Sequence, residues 1–253
     1  MLEAAHIRVQ YNGRAALDDV SFSLARGERV AVVGPNGAGK STLFKVIAGV
    51  LAPFSGAVNV AGHCPGQHIC IAYVPQRTQV DWSFPVTVAD VVMMGRTGRV
   101  GLFRRPGQRD RVQVEECLEV VGMRHLGQRQ IGELSGGQQQ RMFVARALAQ
   151  EAELVLMDEP LTGLDVPARD DIFRILDELS QRAVTVMVAT HDLNMAAERF
   201  ARVMLLNRRL LAMGRPADVF TPQLLQAAYG AHLRMVQTDE GTMVLTDTCC
   251  GAD

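Results

Sequence analysis

RVAVVGPNGAGKST, residues 29–42, decides the fold. Its first five residues form an almost unbroken apolar run, the pattern of a strand covered on both faces. Gly34, Pro35, Asn36, Gly37, Ala38, Gly39, Lys40 and Ser41 follow at once and fit G-x-x-x-x-G-K-[ST]. Thr42 then leads into LFKVIAGVL, read as a helix ending near Gly49. Glycines let successive backbone N–H groups curl inward around an anion. A helix beginning near Lys40 aims its positive end and unpaired N–H groups at the same point. The Lys40 ammonium can reach β- and γ-phosphate oxygens, and the Ser41 hydroxyl can coordinate Mg²⁺. A bare strand-to-helix turn needs none of this chemistry. The expectation is a Mg²⁺-bound nucleoside triphosphate. The only lysines are Lys40 and Lys45, so no N-K-x-D segment for reading guanine exists, which disfavours GTP.

Outward from this loop, short strands are expected at 5–10 and 20–24 around an Asn12-Gly13 turn, then at 57–61 and 69–74. Residues 86–149 turn helical and arginine-rich, as an inserted helical subdomain would. Strand patterns return at 153–157, 184–189, 202–206 and 210–213, with a helix at about 167–181. Residues 231–253 read as a hairpin and tail. Strands interleaved with helices argue for one α/β domain over 1–253, built on a parallel sheet.

LVLMDE, residues 154–159, is an apolar strand delivering two carboxylates at its C-terminal edge, where ligands of open α/β sheets collect. Asp158 is expected to hold Mg²⁺, directly or through water, and Glu159 to act as general base toward the attacking water. LSGGQ, residues 134–138, offers Ser135 as a helix N-cap with Gly136, Gly137 and Gln138 behind it. It is a second open helix end suited to phosphate. One nucleotide does not need two such ends from one subunit. Two copies arranged head to tail would use both.

The phosphate loop, LSGGQ, LVLMDEP and Thr190-His191-Asp192 occur in an order and spacing that resembles the ATP-binding-cassette (ABC) ATPases, over residues 7 to about 229. The resemblance implies a P-loop ATPase core with a parallel sheet, an antiparallel β subdomain and an inserted helical subdomain. It implies that Tyr11 stacks on adenine, that Gln76 contacts Mg²⁺ and water, and that His191 contacts the γ-phosphate. It also implies that Asp165 communicates across a homodimer, and that Ser135, Gly136, Gly137 and Gln138 touch the ATP held by the opposite copy. Read as residues alone, Tyr11 is equally a turn-flanking aromatic, and His191 ends an apolar strand beside the site.

A single phosphate loop without sustained heptads looks unlike the ribosome- and DNA-acting relatives. With no apolar run near the ~18 residues that span a bilayer, the chain would borrow an integral membrane permease, indirectly served by an extracytoplasmic solute-binding protein. Its place would be peripheral, on the cytoplasmic face of the cell membrane. YVPQRTQVDWSFPVTVADVVMMGR, residues 73–96, is similar to importer ATPases for manganese, zinc or iron. Residues 191–230 also suit the iron-chelate, haem and cobalamin branch, and LTGLD departs from the metal-ion form while keeping Asp165. Trp82 and Phe84 are either packing residues or part of a permease groove.

The 26 basic and 27 acidic residues give a net charge of −1 and no general attraction to nucleic acid. Five cysteines without a C-x-x-C pair, behind a start lacking an export pattern, fit a reducing compartment. His63, Cys64, His68 and Cys70 lack structural-zinc spacing, and Gly62, Pro65 and Gly66 mark a turn between strands; Cys249-Cys250 reads as an unstructured end. Arg96, Arg99, Arg104, Arg105, Arg109 and Arg111 form a basic stretch, either solvated or facing lipid or permease.

Overall fold

The apolar run at residues 29–33 lies in the middle of a six-stranded sheet. Its order is β5 (Ile71–Val74), β6 (Leu154–Asp158), β7 (Thr185–Thr190), β3 (Arg29–Val33), β8 (Arg202–Asn207), β9 (Arg209–Gly214). This is a computed structural model; it describes residues 1–63, 71–76, 78, 80–101 and 104–230, and the backbone of 233–238 and 241–246. Cys64, His68, Cys70, Cys249 and Cys250 lie outside the described residues.

Strands β5, β6, β7, β3 and β8 are parallel, whereas β9 runs antiparallel to β8. The exception has a local cause: only Arg208 separates the two, and a parallel partner needs a crossover of a dozen residues. β6 and β7 are buried at every position, which is why they read as unbroken apolar runs. Alternate side chains serve two cores. Val33, Met157 and Val188 face one that includes the helices between β5 and β6; Val32, Leu156 and Met187 face the other. Each such buried side chain contributes about 1.5–3 kcal/mol.

A second, antiparallel sheet has the order β2 (Arg14–Leu24), β1 (Leu2–Tyr11), β4 (Ser55–Val60). Asn12 and Gly13, with φ of 49° and 77°, form its two-residue hairpin turn. Both hairpin strands are longer than the sequence suggested. Register shifts beside His6 and Asp19, both at positive φ, interrupt the alternation on which the shorter bounds rested.

Helix α1 (Lys40–Ile47) follows the phosphate loop, and its Leu43, Phe44, Val46 and Ile47 are buried in the second core. Between β5 and β6 come α2 (Val88–Met94), α3 (Thr97–Val100), α4 (Gln108–Val120) and α5 (Gly136–Ala149). Thr87 caps α2 in a capping box with Asp90. Helix α6 (Val166–Gln181) buries Ile172, Phe173, Ile175, Leu176 and Leu179 along one stripe. Helices α7 (Leu193–Arg199), α8 (Pro216–Val219) and α9 (Pro222–Tyr229) complete the set, and β10 (Leu233–Thr238) pairs antiparallel with β11 (Gly241–Thr246). No helix among the described residues is long and apolar enough to cross a membrane.

Candidate active site

β6, β7 and β3 are neighbours, and their C-terminal ends lie side by side: Asp158 pairs with Ala189, and Thr190 with Val33. Strands about 4.8 Å apart therefore release the Gly34 loop, Glu159 and His191 onto one edge. Gly39 precedes α1 at φ 96°, and a Cβ there would lie 2.5 Å from the Ala16 carbonyl, so only glycine fits. α1 has no side-chain cap and no acid in its first turn, which leaves its positive end open. Lys40 is 7% exposed, and its ammonium donates to the carbonyls of Gly34 (2.7 Å) and Pro35 (3.1 Å). Burial pulls its pKa down, opposed by the charges of Glu159 and Asp158.

Asp158 is buried beneath the loop. Its Oδ2 accepts from the Tyr73 hydroxyl at 3.4 Å, the Ser41 hydroxyl also bonds the carboxylate, and Oδ1 has no partner. Desolvation raises its pKa. An orphaned carboxylate oxygen beside a serine hydroxyl is a hard oxygen donor set, which fits Mg²⁺. Glu159, at φ 50°, turns away from the strand while its N–H donates to the Ala189 carbonyl at 3.0 Å. Its Oε2 lies 3.1 Å from both His191 Nδ1 and Thr162 Oγ1. The His191 hydrogen bond is the largest cause holding Glu159 below the usual carboxylate range and raising the His191 imidazole.

A cavity of about 470 Å³ gathers Tyr11, Asn36, Gly37, Ala38, Gly39, Lys40, Ser41, Thr42, Gln76, Glu159 and His191. Gly34 and Pro35 lie behind it as acceptors of Lys40, and Asp158 lies below it. Tyr11 is 48% exposed at the end of β1, open to a stacking partner. Ser135, Gly136, Gly137, Gln138 and Asp165 do not line the cavity. Ser135 caps α5, exchanging hydrogen bonds with Gln138, and Asp165 caps α6 through the Ala168 N–H. Gly137 fits against α6, where a Cβ would come within 2.8 Å of Ala168 Cβ.

Sequence reasoning passed over Tyr73, Thr162 and Ala16. Tyr73 stands one residue before the VPQ segment, at the end of a strand adjoining β6, and strand adjacency is what aims it at Asp158. Trp82 packs edge-on against Phe143 at 5.8 Å, whereas Phe84 is 58% exposed. The basic stretch divides: Arg96 pairs with Asp110 and Glu151, and Arg99 with Glu151.

A family model described as ABC transporter matches residues 17–162. The chain is 44% identical to the manganese transport system ATP-binding protein MntB of Halalkalibacterium halodurans, over 97% of this chain and 98% of that one. It is 46% identical to the zinc transport system ATP-binding protein TroB of Treponema pallidum, over 90% and 86%. Among solved structures, a metal-chelate type ABC transporter in an inward-facing conformation matches with TM-score 0.81 at 30% identity, over 96% of this chain and 95% of that one. A dimeric ATP-binding cassette holding ADP and phosphate after hydrolysis matches with TM-score 0.73 at 26% identity, over 85% and 99%.

Proposed function

Since the chain belongs to the ABC transporter family, we propose that it is the ATP-hydrolysing subunit of an importer for a metal ion: manganese, zinc or iron. The observation that carries the ATPase reading is the convergence of Lys40, Ser41, Glu159 and His191 on one cavity, while the second glycine-rich helix end, capped by Ser135, stays outside it. Such a site is half complete within one copy. A second copy, related head to tail, would present Ser135, Gly136, Gly137 and Gln138 to the triphosphate, with Asp165 at the seam between the two.

Within each site the loop from Gly34 to Thr42 wraps the phosphates, Lys40 leaves its two carbonyl partners for phosphate oxygens, and Tyr11 stacks on the adenine. Ser41, Asp158 and Gln76 would hold Mg²⁺, whose charge offsets that of the phosphates when it is bound. Glu159, held in place by the His191 and Thr162 hydrogen bonds, takes the proton of the attacking water. His191 both orients Glu159 and donates toward the γ-phosphate.

The motion has to be delivered to an integral membrane permease, and the subunit would sit beneath it on the cytoplasmic face, served indirectly by an extracytoplasmic binding protein. A groove of about 860 Å³ beside α2 and α4, floored by Met93, Val114 and Leu118 and edged by Arg105, Arg111 and Arg124, supports a seat for a permease helix. The likeness to a metal-chelate transporter keeps a chelate importer as the second reading. We expect the helices of 86–149 to move as one lobe of a single ATPase domain.

Reconstitution with the neighbouring permease tests the proposal. ATP-driven uptake of ⁵⁴Mn²⁺ into vesicles is expected with the parent chain and lost with Glu159→Gln, which should retain ATP. Equal uptake by both would overturn the assignment of Glu159, and ATP-driven uptake of a ferric chelate in place of Mn²⁺, Zn²⁺ or Fe²⁺ would replace the cargo.

A further inference from the structure

Behind the phosphate loop stands the turn between β8 and β9. Asn207 pairs with Arg209, which leaves Arg208 alone at the apex in the left-handed region, φ 58°. Both backbone groups of Arg208 are used by other elements. Its N–H donates to the Ala38 carbonyl at 2.8 Å, and its carbonyl accepts from the Asp18 N–H at 2.8 Å. The same turn is tied by side chains. Arg209 Nε donates to Asp18 Oδ2 at 2.8 Å and Arg209 Nη2 closes on the same oxygen. Arg8 Nε lies 3.6 Å from Asp18 Oδ1 on the other side, and Asn207 Nδ2 donates to the Ala228 carbonyl at the end of α9 at 2.8 Å. Three stretches distant in sequence, around Asp18, Ala38 and Arg209, are thus locked in series.

The Ala38 bond sets a direction. A trans peptide is planar, with its C=O and N–H opposed. Holding the Ala38 carbonyl outward, toward Arg208, turns the N–H of Gly39 in the same peptide the other way, to the side of the cavity that Ala38 and Gly39 line. That N–H donates to no group among the described residues. An inward, unpaired N–H in this loop is what an anion nest requires.

We propose that Asp18 and Arg209 are positioning residues for the triphosphate: their ion pair presses the Arg208 turn against the loop, and the turn keeps the Gly39 N–H facing the phosphates. The proposal deepens the nucleotide-site reading and rests on it. Neither side chain lines the cavity, so neither touches the nucleotide. Their effect is transmitted by two backbone hydrogen bonds. The Arg209 side chain is 67% exposed and that of Asp18 29%, so the pair acts as a partly screened tether.

The test uses the full-length chain with Arg209→Met, Asp18→Asn, the double variant and Arg209→Lys. MgATP and MgADP affinities are read by calorimetry, KM and kcat by phosphate release, and the melting temperature by scanning calorimetry. Arg209→Met is expected to weaken MgATP and MgADP by the same factor, about 3- to 10-fold, raising KM with kcat within about twofold. Asp18→Asn should do the same, the double variant should be no worse than either single one, and Arg209→Lys should recover most of the loss. Unchanged affinity in Arg209→Met and Asp18→Asn overturns the proposal, and so does a lowered melting temperature with unchanged affinity. A parent chain that binds no MgATP overturns the nucleotide reading beneath it, a result distinct from a binding parent matched by its variants.

Discussion

Lys40→Met isolates the proposed phosphate counter-charge with little disturbance of the fold. In the nucleotide-free chain the ammonium is buried against the Gly34 and Pro35 carbonyls, at 2.7 and 3.1 Å. Binding exchanges those two neutral acceptors for charged phosphate oxygens, so the net gain is the surplus of ammonium–phosphate over ammonium–carbonyl bonds. A bond with both partners charged exceeds one with a single charged partner by about 0.5–2 kcal/mol, so two exchanged bonds give roughly 1–4 kcal/mol. That corresponds to about a 5- to 800-fold rise in the MgATP Kd. A bare Coulomb term of about 4 kcal/mol at 4 Å and an effective dielectric of 20 sets the ceiling. Stability should move far less. Methionine removes a charge that burial disfavours, as the lowered pKa records, but leaves the two carbonyls without their donor. These effects oppose, and a change within about 1 kcal/mol, a few degrees in Tm, is expected. Calorimetric titration with MgATP, beside a thermal melt of the same sample, reads both quantities. An affinity within threefold of the parent would refute the argument.

Ser135→Arg should leave the monomer folded at a cost of about 1 kcal/mol for the lost cap, yet abolish the MgATP-dependent dimer in light scattering; an undiminished dimer counts against a shared site. Gly34→Ala and Gly37→Ala separate space from backbone strain. At Gly34 a Cβ would sit 2.0 Å from the Leu206 carbonyl, so a loss above about 3 kcal/mol is expected in denaturant melts. At Gly37, with φ 77° and open space, only about 1–2 kcal/mol should go, and equal losses would refute the distinction. In nucleotide-free protein the ¹⁵N or ¹H titration of His191 should have its midpoint above 6.5 and drop in Glu159→Gln. The raised imidazole contributes stability that is complete below 6.5 and lost as pH rises through its folded value; depressed Glu159 contributes above 4.5 and loses it as pH falls through its own. A midpoint indifferent to Glu159→Gln would break that pairing.

Most of the candidate site is legible in the chain because its residues are consecutive or end a buried strand. Gly34 to Thr42 form one loop, and Asp158, Glu159 and His191 each leave a run of apolar residues that has to be a covered strand. Strand order then does the rest, since β6, β7 and β3 stand side by side. What the sequence hides depends on contacts between distant segments. Tyr73 reaches Asp158 because β5 adjoins β6, and the tie behind the phosphate loop joins Asp18 to Arg209, 191 positions apart. The bulges at His6 and Asp19 concealed half of the hairpin by breaking its alternation. The basic stretch looked uniform by composition, whereas Arg96 and Arg99 are committed to Asp110 and Glu151, acids too far along the chain to be paired by inspection.

The composite site is tested most directly by determining the structure of Glu159→Gln with MgATP. The account predicts a head-to-tail pair holding two nucleotides, with Ser135 Oγ of each copy about 3 Å from a γ-phosphate oxygen bound by the other. A closed, nucleotide-loaded pair in which Ser135 lies remote from that phosphate, or a chain that binds MgATP only as a monomer, would contradict it.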